Sequence, residues 1–137
     1  MNDALARVTE LPIDEAAVRA AVEADDCGAV VVFHGVIRNH DGGESVRALD
    51  YSAHPDAERI LAEIVESECA RSGLRLAAWH RTGSLEIGDA ALVAASAAAH
   101  RGEAFEAIET LVERIKAEVP IWKRQHYQGR ESAWVGL

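Results

Sequence analysis

"GAVVVFHGVIRNHDGGESVRALDYSA" (28–53) decides the architecture. Its first part, 28–38, is dense in β-branched residues and reads as a strand. "NHDGGES" interrupts it, and Asp41-Gly42 supplies the positive φ of a tight turn. "VRALDYSA" (46–53) then resumes as an antiparallel partner. A strand that returns at once as a hairpin leaves no room for the crossover helix that parallel strands need.

The same reading extends outward in both directions. "ARVTELPI" (6–13) is a strand by alternation, and Asp14 caps a helix over 15–24 that "DDCG" ends. After the hairpin, His54-Pro55 opens a second helix, with Pro55 suited to its first turn. Ala57, Ile60, Leu61, Ile64, Val65 and Cys69 form its apolar stripe, and Gly73 closes it. Residues 74–83 and 89–99 read as strands joined by "SLEIG". A third helix covers about 102–118, with Phe105, Ile108, Leu111, Val112 and Ile115 on one face. "PIWKRQHY" and "AWVG" close the chain as two short strands around "QGRES". The order β-α-β-β-α-β-β-α-β-β predicts a single α+β domain over 1–137, with an antiparallel or mixed sheet and three main helices.

The chain has 137 residues and a formal charge of −9. That charge argues against a general binder of nucleic acid or anionic membrane, which needs a basic surface. It leaves room for a local cluster of cations around a small anion. Cys27 and Cys69 form no CxxC pair, and they read as buried free thiols in a reducing compartment. The N-terminal stretch has no cationic, apolar signal region, and no apolar run reaches membrane-spanning length. The expected location is the cytoplasm.

Twelve of the fourteen basic residues are arginines. Both lysines fall in "KAEVPIWKR" (116–124). Pro120 has no N–H for the carbonyl of Lys116 and pushes Val119 out of the α region, so the helix ends just past Lys116. Lys123 then sits on an extended segment, sharing a face with Ile121, while Trp122 and Arg124 share the other. The turn between them lets both lysines approach one pocket from different elements. A helix-end cation and an exposed strand lysine would explain the two positions more simply. Yet arginine serves as a surface charge equally well, and only lysine readily exchanges a proton or acts as a nucleophile.

Two further groups of residues suit an anion. His100 and Arg101 precede the third helix, where free N–H groups and a guanidinium favour a phosphate. Arg38 ends a strand before a glycine turn. Six histidines invite a metal, but no HxH, HExxH or Cys/His cluster is present.

Together these pieces resemble a known family. "VVFHGVIRNHDGG", "LDYSAHPDAE", "HRTGSLEIGD", "AHRGEAFEAIETLVERIKAEVPIWKR" and "WVG" are similar to the large, catalytic subunit of molybdopterin synthase, from about residue 5 onward. The resemblance implies an α/β-hammerhead type of α+β fold and a homodimer within a heterotetramer. It implies a small ubiquitin-like carrier whose C-terminal Gly-Gly thiocarboxylate enters a pocket on the large subunit. Two sulfurs then pass to cyclic pyranopterin monophosphate, giving molybdopterin. By position, Lys116 and Lys123 match the family's active-site lysines. His100 and Arg101 match its substrate-contacting pair. Arg38, with the backbone of Val36 and Ile37, matches the strand-end contact, and Arg124 and Gln125 flank Lys123 in the pocket-lining segment. His34 stands where a small hydroxylic residue is more usual, and would alter the pocket edge if it faced inward. No metal or cofactor is implied, because the carrier brings the sulfur. Two rival readings are a non-catalytic paralogue that binds carrier or pterin, and an acyl-transfer enzyme using Cys27 or Cys69.

Overall fold

The computed structural model describes residues 4–127 and 133–137, with the backbone alone at 130–131. The described residues form two sheets and three helices. The first sheet has the order β1-β5-β7-β2, built from β1 (Ala6–Thr9), β2 (Ala29–Val36), β5 (Arg75–Arg81) and β7 (Ala90–Ala98). β1 and β5 are parallel, and the other pairs are antiparallel.

Alternate residues of this sheet feed two separate cores. Leu76, Ala78, Leu92 and Ala94 face α2 (Ala57–Ser72) and α3 (Arg101–Glu118), meeting Leu61, Ile64, Val65, Leu111 and Ile115. Ala77, Trp79, Val93 and Ala95 face α1 (Glu15–Ala20), meeting Val18 and Val22. With both faces covered, β7 is buried along nearly its whole length. This accounts for its alanine-rich sequence, since small side chains on both faces let helices lie close to the strand.

The second sheet follows the path β10-β8-β4-β3, with β6 also on β4 and β9 also on β8. Its strands are β3 (His40–Asp41), β4 (Glu44–Ala53), β6 (Gly83–Glu86), β8 (Ile121–Tyr127), β9 (Arg130–Glu131) and β10 (Val135–Gly136). The chain crosses from one sheet to the other between β5 and β6, where Gly83 has a φ of 91° that a side chain would resist. A small third core of Ile37, Leu49, Leu85 and Ala91 fills the corner between the sheets.

The α+β class and the three helices agree with the sequence reading, and several boundaries differ. The first strand stops at Thr9 rather than residue 13, because its partner β5 ends opposite, at Arg81. α1 ends at Ala20, since only Val18 and, in the turn beyond it, Val22 are buried against the sheet. The hairpin turns on Gly42-Gly43, with φ of 57° and 83°, one residue later than expected. Pro55 precedes α2, which begins at Ala57, and the His54 imidazole Nδ1 accepts a hydrogen bond from the Asp56 N–H at its start. "SLEIG" is partly strand β6, because β4 offers it an edge. β3 and β9 are likewise additional to the expected order. Phe105 is exposed, at 56%, and Ala104 and Ala107 take its expected place in the buried face of α3. Cys27 and Cys69 are free thiols as expected, but partly exposed rather than buried. No helix among the described residues is long and apolar enough to cross a membrane.

Candidate functional site

Pro120 does what its chemistry requires. α3 runs to Glu118, Val119 is extended at φ −77° and ψ 126°, and β8 begins at Ile121. Lys116 is in the last turn of the helix and Lys123 is the third residue of the strand. β8 alternates as expected, so Ile121 and Gln125 are buried and Lys123 lies between them on the same face. Lys123 is directly opposite Tyr51 of β4.

That face opens on a cleft between the end of β2, the β3–β4 hairpin and β8. Val36, Ile37, Arg38, Lys123 and Gln125 line it, as do Tyr51, His40 and Asp41. Five of the residues picked out in the sequence are thus brought together. The Arg38 guanidinium donates to Asp41 Oδ1 at 3.3 Å, with 64% of its side chain exposed. An ion pair this exposed is worth little, so the guanidinium is available to a stronger anion.

Lys116 does not line the cleft and is exposed. It stands close enough to His80 for its charge to act on that ring. His80 is 3% exposed, its Nδ1–H donates to the carbonyl of Arg81 at 2.8 Å, and burial, with Lys116 adding, pushes its pKa down to about 4. The ring meets Tyr51 edge-on at 5.0 Å, and Tyr51 lines the cleft beside Lys123. Tyr51 and His80 thus connect the surroundings of Lys123 with those of Lys116.

Three of the picked residues lie elsewhere. Arg124 is on the outer face of β8, where its guanidinium donates to Asp50 Oδ2 at 3.1 Å and lies 4.8 Å from the centre of the Trp134 ring. The Asp50 carboxylate also accepts from Ser84 Oγ at 2.8 Å and pairs with His126 Nε2 at 2.6 Å. Burial alone would raise this carboxyl, but the three hydrogen bonds outweigh it and hold it below its ordinary value. His100 and Arg101 are exposed at the start of α3, and the His100 side chain makes no capping bond. They are about 22 Å from Lys116 along the helix, at 1.5 Å per residue. They also follow the end of β7 that pairs with Ala29, whereas Arg38 follows the other end of β2, where Val36 pairs with Ala90. Within one chain the His100–Arg101 pair and the cleft are at opposite ends of the sheet. His34 is off the cleft too, 3.4 Å from Glu15 Oε2.

The sequence reading missed Tyr51, His80 and Asp50. Alternation along β4 puts Tyr51 on the face of Leu49, but the edge contact with His80 joins strands of different sheets, which no local pattern reports. Among the described residues, no group of three or more His, Cys, Asp or Glu side chains is arranged to hold a metal ion.

Comparison with known proteins gives one consistent result. The sequence model of the family described as "MoaE protein" matches residues 8–118, which include Lys116 and stop short of Lys123. "Molybdopterin synthase catalytic subunit 1" of Mycobacterium tuberculosis is 40% identical over 132 residues, covering 95% of this chain and 89% of that protein. "Molybdopterin synthase catalytic subunit" of Bacillus subtilis is 39% identical over 131 residues, covering 94% and 83%. Among solved structures, molybdopterin synthase from Staphylococcus aureus superposes with a TM-score of 0.88 at 34% identity, over all of both chains. A Helicobacter pylori chain from the complex of subunits 1 and 2 of molybdopterin-converting factor gives 0.62 at 25% identity, over 77% of this chain and 70% of that one.

Proposed function

The chain belongs to the MoaE protein family, and from that premise we propose that it is the catalytic subunit of molybdopterin synthase. It is a sulfurtransferase of molybdenum cofactor biosynthesis, working in the cytoplasm. A small ubiquitin-like carrier docks on it and presents a C-terminal Gly-Gly thiocarboxylate. Two sulfurs, one from each of two successive thiocarboxylates, pass to cyclic pyranopterin monophosphate, and water cleaves each acyl–sulfur bond to release the carrier as its carboxylate. The observation that carries this reading is the cleft holding Arg38 and Lys123, with Lys116 one element away, in a chain of net charge −9.

The roles follow from chemistry. Arg38 and Lys123 hold the substrate's anionic group, with the backbone of Val36 and Ile37 and the side chain of Gln125 shaping the wall. Attack of a thiocarboxylate on the pterin side chain develops negative charge and requires proton transfer. Lys116 is the proton donor in this account, and it reaches the reacting carbons from the helix end. Arg124 acts from the outer face by fixing β8 to Asp50.

His100 and Arg101 belong to the same site only if a second copy supplies them. β2 is the edge strand of its sheet, eight residues long and without Lys, Arg, Asp or Glu. Such an edge readily accepts another strand. Antiparallel pairing of two β2 edges about a two-fold axis would set the Ala29 end of one copy beside the Val36 end of the other. His100 and Arg101 of the second copy would then approach Arg38. The homodimer is thereby part of the catalytic proposal, not an addition to it.

Mixing the protein with thiocarboxylated carrier and cyclic pyranopterin monophosphate tests the reading. Molybdopterin should form, and Lys116→Arg should reduce its rate by about 100-fold or more, the usual contribution of a positioned proton donor. Full sulfur transfer by that variant would refute the proton-transfer role. Binding of both components without product would refute the enzyme.

A further inference from the structure

Tyr51 and His80 have features that a merely structural pair would not need. Tyr51 is half-buried, lines the cleft and lies directly across from Lys123. Its hydroxyl makes no hydrogen bond to any of the described residues and is not a buried atom, so it is open to a ligand in the cleft. Burial pushes its pKa up, so the hydroxyl keeps its proton and remains a donor. His80 comes from the other sheet and is nearly fully buried. Its Nδ1–H is committed to the Arg81 carbonyl, which fixes the plane of the ring. That ring meets Tyr51 at 79°, the edge-to-face geometry in which aromatic pairs attract. A buried imidazole costs more than an apolar residue of the same size, so filling space does not explain it.

We propose that Tyr51 contacts the substrate directly, donating its phenolic hydrogen to the anionic group held by Arg38 and Lys123, and that His80 is the positioning residue that sets the Tyr51 ring. This rests on the functional reading above, because it takes cyclic pyranopterin monophosphate as the ligand of the cleft. The phenol suits that place. It adds a neutral, directional donor between two flexible cations, and so selects an acceptor at one position along the cleft wall.

Equilibrium binding of cyclic pyranopterin monophosphate to the full-length protein is the test, with thermal unfolding of each variant measured alongside. Tyr51→Phe should weaken binding by about tenfold or more, the loss of one hydrogen bond to a charged group, at unchanged melting temperature. His80→Ala should weaken it to a similar degree. His80→Phe, which keeps an aromatic edge against Tyr51, should retain affinity to within about twofold. In the double variant Tyr51→Phe/His80→Ala the loss should be no greater than in Tyr51→Phe alone, because His80 acts through the hydroxyl. Wild-type affinity in Tyr51→Phe would overturn the contact. A double variant showing the product of the two single losses, or His80→Phe failing as His80→Ala does, would overturn the positioning role. If the wild-type protein fails to bind the pterin at all, the functional reading falls and this assignment falls with it.

Discussion

His80 sets a pH dependence that can be assigned to one side chain. An exposed histidine takes up its proton near pH 6.5, whereas this one holds out to about 4. Between those values the unfolded chain binds a proton that the folded chain refuses, so acid favours unfolding. The contribution of a neutral His80 is therefore complete above pH 6.5 and is lost as pH falls toward 4, by about 3 kcal/mol in total. Denaturant midpoints measured at pH 7 and pH 5 should fall for the wild type and fall less for His80→Phe. Equal falls would remove His80 as the cause. Asp50 and Glu68 act in a lower window. Glu68 is buried between Arg71 and Arg114, at 2.8 and 2.9 Å. Burial tends to raise its pKa, but these hydrogen bonds hold it below the ordinary 4.5, so its contribution persists above that value and is lost only in stronger acid. At this scale the sequence revealed the two lysines, because composition alone marks them. It gave no sign of Tyr51 and His80 as a pair, since their contact depends on how two sheets meet. The assignment of Arg124 to the pocket followed the family resemblance. The alternation that turns Lys123 inward turns Arg124 outward, and the strand geometry prevailed.

Among the elements, the junction between α3 and β8 is the one the proposed function depends on. It was also the most legible, because proline dictates local geometry without help from tertiary contacts. Val119 is held extended, the helix ends, and the chain turns within the interval separating the lysines. Pro120→Ala should cost roughly 1 kcal/mol, chiefly through a more flexible unfolded chain. It should also speed amide hydrogen exchange across 116–123. Exchange at the wild-type rate would mean that packing, not proline, defines the junction. The elements misread in the sequence are those that need a neighbour. β6 is a strand only because β4 provides an open edge, and β3 only because the hairpin closes on Gly42-Gly43. Phe105 fits the helical stripe by spacing, yet its side chain is turned to solvent, and the smaller Ala104 and Ala107 are buried in its place.

For the whole molecule, the main finding is a separation. The cleft and the His100–Arg101 pair lie at opposite ends of a sheet covered by helices on both faces, so no side-chain movement can join them within a chain. Sequence reading collected all of these residues into one site because motifs carry no information about which copy supplies them. Two copies would resolve the conflict, and in the proposed enzyme each sulfur-transfer site takes Lys116 and Lys123 from one copy and His100 and Arg101 from the other. The direct measurement is molybdopterin formation by co-expressed Lys116→Ala and Arg101→Ala chains, supplied with thiocarboxylated carrier and cyclic pyranopterin monophosphate. Each variant alone should be inactive. Half of the dimers formed at random are mixed, and each mixed dimer holds one intact site of two, so the mixture should recover about a quarter of wild-type activity. If mixed dimers form and the mixture stays as inactive as either variant alone, while the wild type makes product, the shared site is refuted.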